Sequence, residues 1–107
     1  MPNYILNRVT IVGGLEHQAR REQYLRECET IWDVDVKKNG NELVCVFCSA
    51  WSPAFSVYWD LSVYPFDSFE VEYEDLLGNF HGKCSFPSSD SQLNDYYTRH
   101  DFHLRRV

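Results

Sequence analysis

Hydrophobic and polar residues alternate along three segments of the chain, and this pattern predicts β-strands. Residues 4–12 carry Ile5, Val9 and Ile11 at alternate positions, with polar Arg8 and Thr10 between them. A period of two places successive side chains on opposite faces of a strand. Residues 31–37 and 68–75 alternate in the same way. Residues 42–50 are apolar at almost every position, which is typical of a central strand.

One polar residue interrupts the apolar side of the first predicted strand. Asn7 lies in register with Ile5 and Val9, on the face expected to be buried. A buried amide needs hydrogen-bond partners, because an unpaired polar group in the interior is costly. If Asn7 is buried, it therefore needs a hydrogen-bond partner.

Glycine, proline and asparagine mark the predicted connections. Gly13-Gly14 ends the first strand, and residues 15–30 are predicted to form a helix. Its apolar stripe is predicted to contain Leu15, Ala19, Glu22, Leu25 and Cys28. Asn39-Gly40 between two strand patterns predicts a β-hairpin.

A second helix is predicted to begin at Trp51-Ser52-Pro53. Ser52 suits the N-cap and Pro53 the first helical position. The aromatic residues Trp51, Phe55 and Trp59 are predicted to be core rather than interface. Residues 80–86 form the last predicted strand, which Pro87 ends.

The predicted order is strand, helix, strand, strand, helix, strand and one extra strand. This order indicates an α+β, ferredoxin-like split βαβ fold, with two helices on one face of an antiparallel sheet. We expect one domain over residues 1–87, with residues 88–107 as a C-terminal extension packed on it. The chain has no apolar run of membrane-spanning length and no signal-peptide pattern, so a cytoplasmic protein is expected.

The charge of the chain is concentrated in one stretch. The formal net charge is −6, and residues 39–82 contain seven carboxylates but no lysine or arginine. Five of the seven fall within residues 67–75, namely Asp67, Glu70, Glu72, Glu74 and Asp75. Alternation predicts that the glutamates share the solvent face of a strand. In residues 31–37, Asp33 and Asp35 are predicted to lie opposite Trp32, Val34 and Val36, and to add to the same surface if they share that face.

Candidate catalytic and metal-binding patterns are weak. Cys45 and Cys48 have CxxC spacing but lie inside a predicted strand, where they would point to opposite faces as core cysteines. His100, Asp101 and His103 could share one helical face and bind a metal, although surface histidines are the preferred interpretation. Gly13-Gly14 lacks the residues of a phosphate-binding loop. We expect no catalytic residue, no metal and no cofactor.

Several short motifs carry a resemblance to a known family. They are Met1-Pro2-Asn3-Tyr4 followed by Asn7, Ala50-Trp51-Ser52-Pro53, Tyr64-Pro65, Glu70-Val71-Glu72-Tyr73 and Gly78-Asn79-Phe80-His81-Gly82. Over roughly residues 1 to 86 the chain resembles the YubB-type ferredoxin-like proteins encoded on plasmids and phages, although Ile5 stands where a cysteine would be expected. The resemblance implies a ferredoxin-like fold and a mobile-element origin, and therefore a bacterial host cell. It implies no catalytic residue.

Three functional hypotheses follow from the sequence. The first is a non-enzymatic inhibitor that uses the acidic surface to mimic nucleic acid and block a basic, nucleic-acid-binding host complex, of the anti-CRISPR or anti-restriction type. Its partner would be a protein rather than nucleic acid or a membrane, and it would be a monomer or homodimer. The second is a nucleic-acid-binding accessory module using Lys83, Arg99, Arg105 and Arg106. The third is a scaffold domain whose acidity serves solubility or protects strand edges.

Overall fold

Five strands form one antiparallel sheet in a computed structural model of the protein, which describes residues 3–87. The strands and helices are, in chain order, β1 (Tyr4–Val12), α1 (Gln18–Glu27), β2 (Trp32–Asn39), β3 (Glu42–Ala50), α2 (Phe55–Leu61), β4 (Ser68–Asp75) and β5 (His81–Phe86). A 3-10 helix, Leu15–His17, leads into α1. The strand order across the sheet is β2-β3-β1-β4-β5. The fold is therefore α+β, compatible with a ferredoxin-like arrangement.

Both helices pack against one face of the sheet. Ile5, Val9 and Ile11 of β1 are fully buried there, as the alternation predicts. They belong to one hydrophobic cluster with the buried residues of both helices, Leu25, Val57, Tyr58 and Leu61. The hairpin joining β2 and β3 turns at Gly40, and β3 is internal to the sheet, also as predicted. Within residues 3–87, the helices are too short and too polar to cross a membrane.

Asn7 joins β1 to β3 and to the start of α2. Its Nδ2 lies 3.1–3.2 Å from the carbonyl oxygens of Ile5 and Phe47 and 3.0 Å from Ser49 Oγ. Its Oδ1 accepts hydrogen bonds from the Ala54 backbone N–H and the Tyr58 hydroxyl. The buried amide thus has the partners that the sequence requires.

The buried face of α1 differs from the predicted stripe. Gln18, Arg21 and Leu25 are buried, whereas Leu15 and Ala19 are exposed. An arginine rather than an alanine therefore lies on the buried side of α1, which follows the 3-10 turn of residues 15–17. Arg21 is fully buried.

The buried guanidinium of Arg21 ties α1 to the end of α2 and the loop that follows. It donates to the carbonyl oxygens of Leu61 at 3.2 Å, Tyr64 at 2.8 Å and Pro65 at 3.1 Å. Free carbonyl groups at a helix C-terminus are favourable partners for a cation. Burial lowers the pKa of Arg21, because removal from water disfavours the charged form.

The predicted start of the second helix is wrong by several residues. Helix α2 begins at Phe55 with Ala54 as its N-cap, and Ser52 makes no side-chain cap. The buried Asn7 accepts the Ala54 N–H instead, so a side chain from β1 takes the role assigned to a local serine. Trp51 is 66% exposed, which contradicts its assignment to the core.

The predicted faces of β2 are also wrong at one end. Asp33 has a φ of 54°, and the pairing of β2 with β3 shifts register between Trp32 and Asp35. The extra residue of such a bulge reverses which side the following residues face. As a result Trp32 lies on the same side of the sheet as Asp35, whereas Val34 and Val36 pack against the core as predicted.

Candidate protein-binding surface

The sheet face opposite the helices is covered by no helix or strand in the part of the chain that the structure describes. We call it the open face. Its central strands contribute Leu6, Arg8 and Thr10 from β1 and Val44, Val46 and Cys48 from β3. Its β4 and β5 positions are Glu70, Glu72, Glu74, His81, Lys83 and Ser85. The open face therefore combines a partly exposed apolar strip with a charged strip beside it.

Three glutamates of β4 form an exposed row on the open face. We call Glu70, Glu72 and Glu74 the glutamate row; each is exposed, while Phe69, Val71 and Tyr73 between them are buried. Successive members lie about 6.6 Å apart along the strand, at ~3.3 Å per residue. Among residues 3–87, no ion pair within 4.0 Å involves any of the three. The sequence alternation thus predicts this row correctly.

The neighbours of the three glutamates differ across the strands. Glu72 lies directly between Arg8 of β1 and Lys83 of β5. Glu70 lies between two hydroxyl-bearing residues, Thr10 and Ser85, whereas Glu74 lies between Leu6 and His81. Residues directly opposite one another on neighbouring strands interact, and unlike charges attract there. Two cations therefore offset the middle carboxylate, and the outer two retain more of their negative field.

The acidic residues at the ends of β4 have different surroundings. Asp75 is only 2% exposed, and its carboxylate accepts hydrogen bonds from the Leu77 N–H at 3.0 Å and from Asn79 Nδ2 at 2.9 Å. These bonds hold the turn between β4 and β5. Asp67 is exposed in the loop before β4, close to Gly13. The carboxylate of Asp75 is thus buried in this turn and adds nothing to the exposed acidic surface.

The two predicted aspartates of β2 are exposed but lie away from the glutamate row. Asp35 is opposite Val46, and Asp33 occupies the bulge near Cys48. Strands β3 and β1 separate β2 from β4, which amounts to about 14 Å at ~4.8 Å per strand. Asp33 also affects Cys48, because burial and then the nearby carboxylate raise the pKa of that thiol.

An aromatic pair lies at one end of the open face. The rings of Tyr4 and Trp32 meet edge to face with centroids 5.2 Å apart, and Tyr4 is 45% exposed. The sequence pattern assigned Trp32 to the core side, so this pair was missed. The pair becomes visible only with the bulge at Asp33.

Two shallow depressions border the glutamate row. One, of about 210 Å³, is lined by Glu74 together with Leu6, Arg8 and His81. The other, of about 280 Å³, is lined by Glu70 and Ser85. Glu72 and Lys83 line both depressions and so form the boundary between them.

Cys45 and Cys48 lie on opposite sides of β3, as their spacing in a strand predicts. Cys45 faces the helices, and burial raises its pKa to about 12. The cysteines at positions 28, 45, 48 and 84 are all free. Within residues 3–87, no group of three or more His, Cys, Asp or Glu side chains is placed to hold a metal ion. The candidate metal ligands His100, Asp101 and His103, and the tail cations Arg99, Arg105 and Arg106, lie outside the described residues.

Comparisons with models of protein families, with curated proteins and with solved structures find no match to this chain.

Proposed function

We propose that this protein is a non-enzymatic binding domain whose open face docks on a basic partner protein. The glutamate row carries this proposal: three exposed carboxylates share one face, and none forms an ion pair with another of the residues 3–87. Such a row increases the rate of association with a positively charged surface and favours one orientation of approach.

The partly exposed apolar strip beside the row supports the same function. Leu6, Val44 and Val46 are neither fully buried nor fully exposed. Protein interfaces commonly combine a desolvated apolar centre with a polar rim. The strip would supply that centre, and the glutamates would form one edge of the interface.

We further propose that the partner is a nucleic-acid-binding complex of a bacterial host, and that the protein inhibits it in the cytoplasm as a phage or mobile-element product. Two considerations support this setting. The first is the resemblance of residues 1–86 to the YubB-type family, with the ferredoxin-like split βαβ arrangement as the proposed fold. The second is that defence complexes such as CRISPR effectors hold nucleic acid in positively charged channels, which an acidic surface can block.

The proposal is tested by comparing two triple charge reversals as bait in a bacterial lysate. The first variant carries Glu70→Lys, Glu72→Lys and Glu74→Lys. The control carries Glu16→Lys, Glu27→Lys and Glu29→Lys, three exposed glutamates outside the sheet with the same change in net charge. We expect wild type and control to retain a basic nucleic-acid-binding protein that the first variant loses.

The captured protein then tests inhibition. Adding wild type should reduce its binding to labelled nucleic acid, and adding the glutamate-row variant should not. Equal capture by the two triple variants would contradict the proposed surface. Capture without loss of nucleic-acid binding would retain the binding function and contradict the inhibitory one.

A second candidate function is supported by the aromatic pair. Tyr4 and Trp32 share the open face with Arg8 and Lys83, and single-stranded nucleic acid is commonly bound by stacking on aromatic rings beside cations. Titration with a fluorescent single-stranded RNA or DNA at two salt concentrations tests it. Salt-dependent binding that Trp32→Ala abolishes would favour this accessory function over docking of a protein.

A further inference from the structure

The open face presents a mixed charge pattern along β4 rather than a uniform acidic row. Across the three strands β1, β4 and β5, the rung through Glu72 also contains Arg8 and Lys83, so its formal charge there is +1; Asp35 of β2 lies on the same line beyond Val46. Within the same three strands, the rung through Glu70 has no cation and the rung through Glu74 has Leu6 and His81; Lys37 of β2 lies on the line of Glu70 beyond Val44. Along β4, the strip formed by β1, β4 and β5 is therefore negative at Glu70, positive at the level of Glu72 and negative at Glu74.

The two depressions follow the same order. Each outer glutamate lines a depression of its own, and the Glu72–Lys83 rung lies between the two. Glu70 and Glu74 are four residues apart, which is about 13 Å in an extended strand at ~3.3 Å per residue. This is also the separation of the first and fifth residues of an extended peptide. The depressions are therefore spaced to receive side chains at those two peptide positions.

From this geometry we infer that the open face selects an extended partner segment whose outward charges run basic, acidic, basic at positions i, i+2 and i+4. The basic side chains enter the depressions beside Glu70 and Glu74. The acidic side chain meets Arg8 and Lys83 at the middle rung. This inference deepens the proposed docking function and rests on it, since it names the chemistry of the segment that binds.

The inference also separates this surface from a simple imitation of a phosphate backbone. A phosphate backbone carries the same charge at every step and favours lysine or arginine throughout. Here a lysine at the middle position would meet two cations, and like charges placed directly opposite are unfavourable. A uniformly basic partner should therefore bind less well than one with an acidic residue at the centre.

Three peptides of defined charge order test the inference with the intact protein. The central sequences are Lys-Thr-Glu-Thr-Lys, its isomer Lys-Thr-Lys-Thr-Glu, and Lys-Thr-Lys-Thr-Lys. The first two have identical composition and net charge, so they differ only in order. Titration followed by amide chemical shifts at low salt measures weak affinities and locates the contact.

We expect the first peptide to bind roughly ten-fold more tightly than its isomer. The isomer places two side chains opposite like charges, and each such pairing should weaken the affinity a few-fold. Shifts should concentrate at Glu70, Glu74 and Lys83. In an Arg8→Glu, Lys83→Glu double variant, the preference should pass to the peptide with three lysines. An Arg20→Glu, Arg26→Glu variant is the matched control, because both arginines are exposed on α1, away from the open face.

The possible failures are distinguishable. If the peptide with three lysines binds wild type best and contacts the open face, the alternation is wrong and the acidic docking surface is retained. If the two isomers bind with equal affinity, the order of charges does not affect binding and the inference is overturned. If no peptide shifts the open face, both the inference and the proposed docking function are contradicted.

Discussion

Replacing Asn7 by leucine tests whether the buried amide holds the sheet and α2 together. Leucine has nearly the same size, so the change removes the polar contacts without leaving a large cavity. The Ala54 N–H and the Tyr58 hydroxyl would then lack their acceptor in the core. A buried donor left without a partner costs ~1–3 kcal/mol. Two such donors should lower the free energy of unfolding by about 3 kcal/mol, a large share of the ~5–15 kcal/mol typical of a domain.

A double-mutant cycle assigns this loss to the hydrogen bond itself. Tyr58→Phe alone should cost ~1 kcal/mol, because it removes one donor from Asn7 Oδ1. In the Asn7→Leu background the same change should be neutral or stabilising, since it removes a hydroxyl that is already unpaired. Urea denaturation followed by circular dichroism gives the four free energies.

The control and the refuting result are both defined by the structure. The hydroxyl of Tyr24 donates to Asp60 at 2.6 Å and does not contact Asn7, so Tyr24→Phe should have the same effect in either background. If Tyr58→Phe also costs the same with and without Asn7, the two side chains are not coupled. The account of how β1 positions α2 would then be wrong.

Three further predictions concern stability. In urea denaturation, Gly14→Ala should lower the free energy of unfolding by more than ~3 kcal/mol and Gly78→Ala by only ~1 kcal/mol. Both glycines have positive φ, but of the two only Gly14 lies where a Cβ would overlap a backbone carbonyl oxygen. Equal losses would contradict this packing. Arg21→Met should cost ~2–4 kcal/mol, because three carbonyl acceptors lose their donor; an unchanged urea midpoint would refute that role. Burial raises the pKa of the Cys45 and Cys84 thiols from 9.0 to about 12, so above pH 9 the unfolded chain loses these protons while the folded protein keeps them. The free energy of unfolding should therefore fall above pH 9, by up to ~1.4 kcal/mol per pH unit for each thiol. Denaturation at pH 8 and pH 10 should show this loss, and Cys45→Ala with Cys84→Ala should reduce it.

Local sequence patterns predict those features that depend on one strand at a time. The alternation around Glu70, Glu72 and Glu74 gives their shared exposed face, and the polar interruption at Asn7 indicates a buried amide with partners. Both follow from the geometry of a single strand, in which every second side chain has the same environment. The Asn39-Gly40 hairpin is predictable for the same reason, since its signal lies within adjacent residues.

Features that depend on pairing between distant segments are not visible in the sequence. Arg8 and Lys83 flank Glu72 only because β1 and β5 pair with β4 in one particular register. The chain separates Arg8 from Glu72 by more than half its length, and no local pattern sets that register. The buried face of α1 could not be predicted either, because Arg21 is stable inside only with carbonyl partners from the loop after α2.

Irregular backbone accounts for the remaining errors. A single bulge at Asp33 moves Trp32 to the open face, where alternation alone assigns it to the core. The Ser52-Pro53 signal for a helix start is overridden by the acceptor that Asn7 provides to Ala54. In both places, a tertiary contact or a local distortion outweighs a local preference.

The most direct test of the glutamate row as a docking surface is the dissociation constant of a lysine-rich peptide for three proteins at about 0.1 M salt. These are wild type, the Glu70→Lys, Glu72→Lys, Glu74→Lys variant, and the Glu16→Lys, Glu27→Lys, Glu29→Lys control with the same net charge. The account predicts at least a ten-fold loss of affinity for the first variant and a loss of less than about three-fold for the control, because exposed charges beyond ~10 Å are largely screened. Equal losses in the two variants would mean that only total charge matters, and would contradict a docking site on the open face.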